Sequence, residues 1–429
     1  MSSLSAVPGP LRVGMVGYAF MGAAHSQAWR TAPKFFDLPL RPELTAVAGS
    51  NGVAVRAAAQ QYGWSSAETD WRRLVERPDI DLIDICTPGD MHVEIATAAL
   101  QAGKHVLCEK PLANTVAEAE EMTAAAEEAA TRGMFAMCGY SYRRTPALAL
   151  AKRIVDEGRL GTIRQVRAQY LQDWLSDANA PMTWRLDKSK SGSGALGDIG
   201  AHIIDAAQWI TGEPITGVSS LMETFVHERP LGGELVGLGG HAEVGQDGRR
   251  GTVTVDDAVI FSARFAGGAI GVFEATRFAL GRKNAIRLEI NGTDGSLAFD
   301  FENMNYLHLY ENRDDAAVRG YHRIMVTEPE HPYVGNWWPT GHGLGYEHAF
   351  THQVVDLVEA IAEGRQPTPS FADALQVQRV LGAVEASNAH GSRWTAVAIP
   401  TTPTTPTTPT TPTTPTTPTT PAHAQGDVA

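Results

Sequence analysis

The chain has 429 residues, in which 35 lysines and arginines stand against 48 aspartates and glutamates, giving a formal net charge of −13. This acidic balance disfavours a nucleic-acid partner, and no apolar run is long enough to cross a membrane. The N-terminal segment lacks the pattern of a signal peptide and the three cysteines form no disulfide framework, so we expect a cytoplasmic protein.

The first 140 residues alternate apolar runs with alanine-rich helical patterns. Such alternation is typical of a doubly wound α/β fold, a parallel sheet with helices on both faces. The predicted strands are Leu11–Val16, Leu44–Ala48, Asp81–Cys86, His105–Cys108 and Met134–Cys138. The predicted helices are Val53–Tyr62, Val93–Ala102 and Val116–Thr131, the last with a capping box at Thr115 and Glu118.

Beyond residue 140 the pattern predicts a second, mainly antiparallel α/β domain. A helix (Ala147–Glu157) and an extended run (Ile163–Trp174) precede a glycine-rich segment, and strands with turns dominate from about 214 to 310. The NGTDG turn between two apolar runs predicts a hairpin. Two helices follow, near Tyr346–Ala362 and Ala372–Ser387.

Composition divides the chain into four predicted segments: a disordered N-terminus (1–10), the first domain (11–140), the second domain (141–398) and a disordered tail (399–429). Seven copies of Thr-Thr-Pro fill positions 401–421 of the tail. Proline at every third position favours extended polyproline II with no apolar face to bury.

The first predicted strand leads into the turn VGMVGYAFMGAAHS (Val13–Ser26). It matches the phosphate-binding fingerprint G-x-G-x-x-G except that Ala19 replaces the middle glycine. Gly17 allows the tight turn, and Gly22 allows the helix to pack closely on the strand. A helix that begins near Phe20 directs its N–H groups at a pyrophosphate, so the turn predicts dinucleotide binding.

Two more segments lie at predicted strand ends, CTPGDMH (Cys86–His92) and HVLCEKPLANT (His105–Thr115). Strand ends of a doubly wound sheet converge on one crevice, so both segments should face the first turn. Lys110, between Glu109 and Pro111, is placed to donate a proton or to stabilise a developing alkoxide.

The segment GALGDIGAHIID carries Asp198 and His202 four residues apart. On a helix these side chains share a face, and a histidine beside a carboxylate is suited to take a proton from a hydroxyl. A second interpretation stays open, in which Asp198 is an N-cap and His202 packs beneath it.

In this order and spacing, GYAFMG, TPGDMH, AGKHVLCEKPLA, YRR and GDIGAHIID resemble the glucose–fructose oxidoreductase and inositol dehydrogenase (Gfo/Idh/MocA) family over about residues 10–395. The resemblance implies a Rossmann domain, a C-terminal domain whose open sheet mediates homodimers or homotetramers, and hydride transfer between a sugar or polyol and NAD(P). It implies that Lys110, Asp198 and His202 are catalytic and that the Lys110–Pro111 bond is cis. The predicted cofactor pocket consists of Gly17, Ala19, Phe20, Met21, Gly22, Ser50, Asn51, Thr87, His92, Glu109 and Lys110.

Within the family, YLQDWLSDANAPMTWRLDKSKSGSGALGDIGAHIID and VDDAVIFSARFAGGAIGVFEATR are most similar to the branch of levoglucosan dehydrogenases and glycoside 3-dehydrogenases. This similarity implies oxidation of a secondary hydroxyl, at C3 of a pyranose, anhydro-sugar or glycoside. The predicted substrate contacts are Tyr142, Arg143, Asp173, Trp174, Trp184, Arg185 and His202.

Two departures from the family pattern concern the cofactor. Gly89 replaces an asparagine that approaches the nicotinamide ribose, and Asp90 is a candidate to compensate. The acidic residue expected after the second strand is absent, and Gly49, Ser50 and Asn51 stand there. Because Asn51 can hydrogen-bond a ribose hydroxyl and no arginine is adjacent, we predict NAD and leave NADP open.

Three alternatives remain open. An inositol 2-dehydrogenase-type cyclitol dehydrogenase fits the same motifs, and a dinucleotide-binding sensor fits the first domain, although a sensor has no need of the three catalytic residues. A zinc site is the third, because His348 and His352 lie one helical turn apart, near Glu347 and His342. We predict no metal, since no glutamate lies between the two as in H-E-x-x-H, and we expect GYEHAF to close over the sugar.

Overall fold

The computed structural model describes residues 9–232 and 248–399. The predicted Thr-Thr-Pro tail and residues 1–8 of the predicted disordered N-terminus lie outside this range, whereas Gly9 and Pro10 belong to the first strand. Within the described residues, no helix has the length and apolar character that crossing a membrane requires.

Six parallel strands form the first sheet, in the order β3-β2-β1-β4-β5-β6. The strands are β1 (Gly9–Val16), β2 (Leu40–Ala48), β3 (Ser66–Glu68), β4 (Leu82–Ile85), β5 (His105–Cys108) and β6 (Ala136–Cys138). The intervening helices are α1 (Phe20–Phe35), α2 (Gly52–Tyr62), α3 (Trp71–Glu76), α4 (His92–Gln101) and α5 (Val116–Ala130). The strand order reverses between β1 and β4, which is where open α/β sheets bind ligands.

The predicted doubly wound sheet is confirmed, and so is the capping box at Thr115 and Glu118 that begins α5. Strand β2 starts four residues earlier than predicted, because Leu40–Leu44 pairs in parallel with the first half of β1. The short elements β3 and α3 were not predicted; they pack at the sheet edge beside β2.

Nine strands form the second sheet, in the order β16-β15-β14-β13-β7-β12-β11-β8-β17, and β9 pairs with β10 separately. The strands are β7 (Ile163–Leu171), β8 (Ile215–Glu223), β9 (Glu228–Pro230), β10 (Arg250–Thr252), β11 (Ala258–Phe265), β12 (Ile270–Thr276), β13 (Ala285–Gly292), β14 (Gly295–Asp300), β15 (Tyr306–Glu311), β16 (His322–Met325) and β17 (Thr395–Ala396). The helices of this part are α6 (Pro146–Asp156), α7 (Lys188–Ser191), α8 (Ala201–Thr211), α9 (Tyr346–Ala362) and α10 (Phe371–Ala389). Among the described strands of this second sheet, only β7 and β12 pair in parallel. The predicted NGTDG hairpin joins β13 to β14.

Helices α6, α8 and α10 cover one face of the second sheet. Helix α9 instead packs on α1, and its Phe350, Val354 and Leu357 share a core with Val13 and Trp29 of the first sheet and its helix. Helix α9, near the end of the described chain, thus completes the apolar core around the first sheet. The division of the chain into two domains at residue 140 stays a prediction.

Candidate active site

A cavity of about 620 Å³ lies at the carboxyl ends of β1, β4 and β5. The cavity is also lined by Asp198 and Ile199, just before α8, and by Tyr346, the first residue of α9. The predicted site residues that line it are Ala19, Phe20, Met21, Thr87, Glu109, Lys110, Tyr142, Trp184, Arg185, Asp198 and His202. The fold therefore brings all five sequence motifs of the family resemblance to one place.

The turn between β1 and α1 is closely packed around Gly17 and Gly22. Gly17 has φ of +100°, and a Cβ there would lie 2.5 Å from the carbonyl oxygen of Cys86. A Cβ at Gly22 would overlap the carbonyl oxygen of Gly17, so the helix packs against the turn without side chains between. Ala19 precedes α1 in extended conformation, where a methyl group is tolerated, and no side chain caps the helix. The N-terminal N–H groups of α1 are therefore available to an anion.

At the end of β2, the ring of Tyr18 occupies the space of the missing acidic residue. A Cβ at Gly49 would overlap the Tyr18 ring. Asn51 is the N-cap of α2, and its Oδ1 accepts hydrogen bonds from two backbone N–H groups at 3.0 and 3.1 Å. Asn51 Oδ1 is thus engaged by the helix, and neither Ser50 nor Asn51 lines the cavity, so their contact with a ribose hydroxyl stays a prediction.

Asn114 fills the space beside Gly89. A Cβ at Gly89 would lie 2.5 Å from Asn114 Oδ1. Asn114 Nδ2 donates to the carbonyl oxygen of Lys190 at 3.1 Å, which leaves Oδ1 on the side of Gly89. Asp90 does not compensate for the missing asparagine, because its Oδ2 accepts from Lys190 Nζ at 2.9 Å outside the cavity lining.

Lys110 joins the first sheet to the segment that carries the other two predicted catalytic residues. Its Nζ donates to the carbonyl oxygen of Asp198 at 2.6 Å and lies 3.4 Å from Asp198 Oδ1. Asp198 lies in a π-helical turn, Leu196–Gly200, and His202 in the first turn of α8. Because no side chain caps α8, the interpretation of Asp198 as an N-cap is wrong.

Cations surround the Asp198 carboxylate. Arg277 Nη1 lies 3.5 Å from Asp198 Oδ2, on the side away from Lys110. Burial alone would raise the pKa of Asp198, but Lys110, Arg277 and Arg185 outweigh it and lower this pKa to about 2. Asp198 is therefore ionised at every pH at which the protein would work.

His202 has the opposite electrostatic character. Burial, together with the positive charge of Lys110, holds the pKa of His202 well below its usual range, and Asp198 only partly opposes this. Its Nδ1 is buried and has no hydrogen-bond partner among the described residues. The ring packs 4.6 Å from that of Tyr142. His202 is thus a neutral imidazole that can accept a proton.

A buried charge network lies beneath Lys110. His25 Nδ1 is 2.9 Å from Asp84 Oδ1, His25 Nε2 is 3.0 Å from Glu109 Oε1, and Trp29 donates to Asp84 at 2.7 Å. Burial lowers the pKa of His25, but the Asp84 carboxylate outweighs burial and raises this pKa well above its ordinary value. The imidazolium therefore fixes Glu109, whose Oε2 accepts from the backbone N–H of Lys110 at 3.3 Å.

Family models match both halves of the chain. The model of the oxidoreductase family with an NAD-binding Rossmann fold matches residues 11–137, and that of the Gfo/Idh/MocA C-terminal domain matches residues 148–298. The chain belongs to the Gfo/Idh/MocA oxidoreductase family. This membership confirms the predicted α/β fold, the enzyme class and NAD as cofactor.

Individual relatives in the family match over most of the chain. The levoglucosan dehydrogenase of Pseudarthrobacter phenanthrenivorans is 43% identical over 392 residues, covering 90% of this chain and 98% of the relative. A crystal structure of an oxidoreductase domain protein from Kribbella flavida is 63% identical with a TM-score of 0.86, covering 91% and 100% of the two chains. Levoglucosan dehydrogenase in complex with NADH and levoglucosan is 41% identical with a TM-score of 0.84, covering 91% and 99%.

Three predicted substrate contacts do not line the cavity. Arg143 forms a buried ion pair with Asp205, with Nε 2.7 Å from Oδ2, because a buried guanidinium requires a counter-charge. Asp173 accepts from Lys283 Nζ at 2.7 Å. Trp174 packs against a small separate apolar cluster. The structure thus places Arg143, Asp173 and Trp174 outside the cavity lining in which we predicted them.

Histidines outside the cavity are held by backbone and ring contacts. Both ring nitrogens of His92 face backbone carbonyl oxygens of the loops after β4 and β5, so His92 ties the loops together and does not line the cofactor pocket as predicted. His352 Nδ1 donates to the carbonyl oxygen of Arg144 at 2.9 Å, and its Nε2 accepts from Trp337 at 2.7 Å. His348 Nδ1 accepts from a backbone N–H at 3.0 Å. The single lone pair of the His352 ring, on Nε2, is thus engaged by Trp337 in this structure.

Several polar cavity residues were not predicted as site residues. They are Asn114, Ser141, Tyr170, Gln172, Thr183, Ser191, Ser193, Arg277 and Tyr346. Gln172 and Arg277 follow β7 and β12, which are parallel neighbours, so their carboxyl ends converge at the cavity. Tyr346 belongs to GYEHAF, the segment we expected to close over the sugar. Gln172 and Arg277 could have been identified only from the pairing of β7 with β12, which the sequence pattern does not give.

Proposed function

We propose that the protein oxidises a secondary hydroxyl of a pyranose, at C3, to a ketone while NAD⁺ is reduced to NADH. The observation that carries this proposal is the convergence of Lys110, Asp198 and His202 on one cavity beside the phosphate-binding turn. The similarity to levoglucosan dehydrogenase supports an anhydro-sugar or glycoside as substrate.

The three residues divide the chemistry between them. Neutral His202 takes the proton of the reacting hydroxyl, and Lys110 stabilises the negative charge that develops on the oxygen. Ionised Asp198 holds Lys110 in place through the 3.4 Å contact of Oδ1. When bound, the nicotinamide supplies a hydride acceptor. The hydroxyl proton and the hydride leave as H⁺ and NADH, so the reaction balances without another reactant.

Residues of this chain also account for cofactor and sugar binding. The N–H groups at the start of α1 receive the pyrophosphate, with Thr87 and Glu109 on the facing strand ends. On the sugar side, the rings of Tyr142, Trp184 and Tyr346 line the cavity, and aromatic faces pack well on sugar C–H groups. Holding sugar and cofactor together in one orientation supplies much of the rate enhancement.

NADH formation at 340 nm tests the proposal. The panel combines NAD⁺ or NADP⁺ with levoglucosan, glucosides, free pyranoses and myo-inositol. We expect Lys110→Met and His202→Gln to lower kcat by roughly 10²-fold or more, and Arg73→Met, at an exposed position on α3, to leave it unchanged. Turnover of myo-inositol alone would favour the cyclitol alternative, and unchanged turnover in both site variants would refute the catalytic assignment.

A homo-oligomer is the second part of the proposal. The uncovered face of the second sheet exposes Leu221, Ile260, Ile270 and Val272, and Ile260 pairs directly with Leu221 across β11 and β8. Contiguous exposed apolar side chains of this kind favour protein contacts. Light scattering should give a dimer or tetramer, and Ile260→Asp should shift the mass toward the monomer.

The three cysteines support a reducing, cytoplasmic location. Cys86, Cys108 and Cys138 are all free. Burial raises the pKa of the Cys108 and Cys138 thiols, so both stay protonated and unreactive. Fractionation of the producing cells tests this location.

A further inference from the structure

Arg185 lines the cavity and forms no ion pair with another described residue. Among the described residues, its guanidinium forms no hydrogen bond and has no carboxylate oxygen within 4.0 Å. It lies over the ring of Trp184, with Cζ 4.5 Å from the ring centroid. Burial lowers the pKa of Arg185, and the more distant charge of Asp198 offsets this only in part. A partly buried charge in this position gains from an anion that arrives with a ligand.

The other charges that face the cavity already have partners. Asp198 has Lys110 at 3.4 Å and Arg277 at 3.5 Å, one on each carboxylate oxygen. Glu109 is paired with His25 at 3.0 Å. The single carboxylate of Asp198 therefore already pairs with two cations at close range, and Arg185 has no ion-pair partner among residues 9–232 and 248–399.

We propose that Arg185 binds a carboxylate of the substrate, so that the preferred substrate is a pyranose with a carboxylate group, such as a glycuronic acid or its glycoside. This inference rests on the proposed function. A guanidinium presents its N–H groups in a planar fork that matches the two oxygens of a carboxylate, and such charge-assisted bonds are stronger than those to a neutral hydroxyl. Contact with the Trp184 face leaves the edge of the guanidinium, with its N–H donors, free for the ligand.

A cofactor phosphate is the other source of an anion. Arg185 follows Met182, Thr183 and Trp184 along the cavity wall and belongs to the segment that leads to Asp198, whereas the start of α1 offers its own N–H groups to phosphate. The placement therefore favours the sugar carboxylate. The affinity of the enzyme for NADH distinguishes the two sources experimentally.

The test compares matched sugars with the full-length enzyme at saturating NAD⁺. Methyl β-D-glucopyranosiduronate, its uncharged amide and methyl β-D-glucopyranoside differ only at C6. We expect kcat/KM for the uronate to exceed that for both neutral sugars about tenfold or more, and the advantage to shrink as salt is raised. Arg185→Met should bring the ratio of uronate to neutral glycoside within twofold, while Arg73→Met should leave the wild-type ratio. Using a ratio removes any general loss of activity or folding from the comparison.

Two results would overturn the proposal. The first is an equal kcat/KM for uronate and neutral glycoside in the wild type, or a ratio that survives in Arg185→Met. The second is an unchanged ratio with weaker NADH binding in Arg185→Met, measured by NADH fluorescence, which would assign Arg185 to the cofactor phosphate.

A binding measurement separates this inference from the proposed function. Absence of NADH formation with every sugar would refute the proposed function. Binding of the uronate to the enzyme–NADH complex would then still test Arg185, because saturable binding that Arg185→Met abolishes supports the carboxylate site, and no binding overturns it.

Discussion

Replacing Gly89 with alanine would place one methyl group against Asn114. The new Cβ would lie 2.5 Å from Asn114 Oδ1, whereas a carbon and an oxygen normally stay about 3.3 Å apart or more, so the two must separate by about 0.8 Å. Asn114 cannot rotate away freely, because its Nδ2 donates to the carbonyl oxygen of Lys190, and Lys190 is itself paired with Asp90. The substitution therefore forces either the loss of that hydrogen bond or an overpacked contact.

The expected cost follows from these two outcomes. Losing the hydrogen bond costs about 1 kcal/mol, and retaining an overpacked contact costs roughly 1–3 kcal/mol. Gly89 does not have a positive φ, so alanine itself is compatible with the backbone and restricts the unfolded chain, which returns roughly 0.4–1 kcal/mol. We expect the free energy of unfolding of Gly89→Ala to fall by up to about 2.6 kcal/mol.

A double-mutant cycle isolates the contact. Urea unfolding is measured for wild type, Gly89→Ala, Asn114→Ala and the double variant, with Gly320→Ala as control because a Cβ at Gly320 would meet nothing within 4 Å. In the Asn114→Ala background, Gly89→Ala should cost nothing, so the coupling energy should be about 1 kcal/mol or more. An equal loss in both backgrounds would refute the proposed clash.

Four more substitutions test other parts of the site. Gly22→Ala should weaken NADH binding at least tenfold in a fluorescence titration, since its Cβ overlaps a backbone carbonyl that cannot turn away, whereas Ala19→Gly should bind NADH within about twofold of wild type. Arg277→Met removes one of the cations that lower the pKa of Asp198 to about 2, so this pKa should rise in an NMR titration of the carboxyl group; an unmoved pKa would contradict this role. The pKa of His25 is raised in the folded protein, so protonated His25 stabilises the fold. This contribution is fully present below about pH 6.5, the pKa in the unfolded chain, and is lost as the pH rises through the higher pKa of the folded state. Melting temperatures at pH 6 and pH 9 should therefore differ less in His25→Asn than in wild type, and an equal difference would argue against an imidazolium.

Local patterns were sufficient for the first sheet and for the motifs at its strand ends. Apolar runs bounded by helices predicted five of its six strands, and Thr115 with Glu118 predicted the start of α5, because caps depend on neighbouring residues only. The same locality placed Lys110 and the phosphate-binding turn at strand ends, which share one edge of a parallel sheet.

Long-range contacts decided what the patterns left open. Asn51 and Asn114 have equally polar side chains, yet one caps α2 and the other fills the space beside Gly89, depending on which backbone group lies nearby. Arg143 and Arg185 were predicted for the same role, but within the described part of the chain only Arg143 contacts a carboxylate, that of Asp205, 62 residues away.

The order of apolar and helical segments was thus enough to predict the doubly wound sheet, and the motif at the first strand end was enough to predict the cofactor turn. The catalytic assignment of Lys110, Asp198 and His202 came from the resemblance to the family and stays a prediction. It could not predict that Arg277 flanks Asp198, because this follows from the parallel pairing of β7 with β12, which are about 100 residues apart. Nor could it predict that α9 completes the core around α1. Local backbone preferences act between neighbours along the chain, whereas the burial of a charge or an apolar face depends on which distant segment covers it.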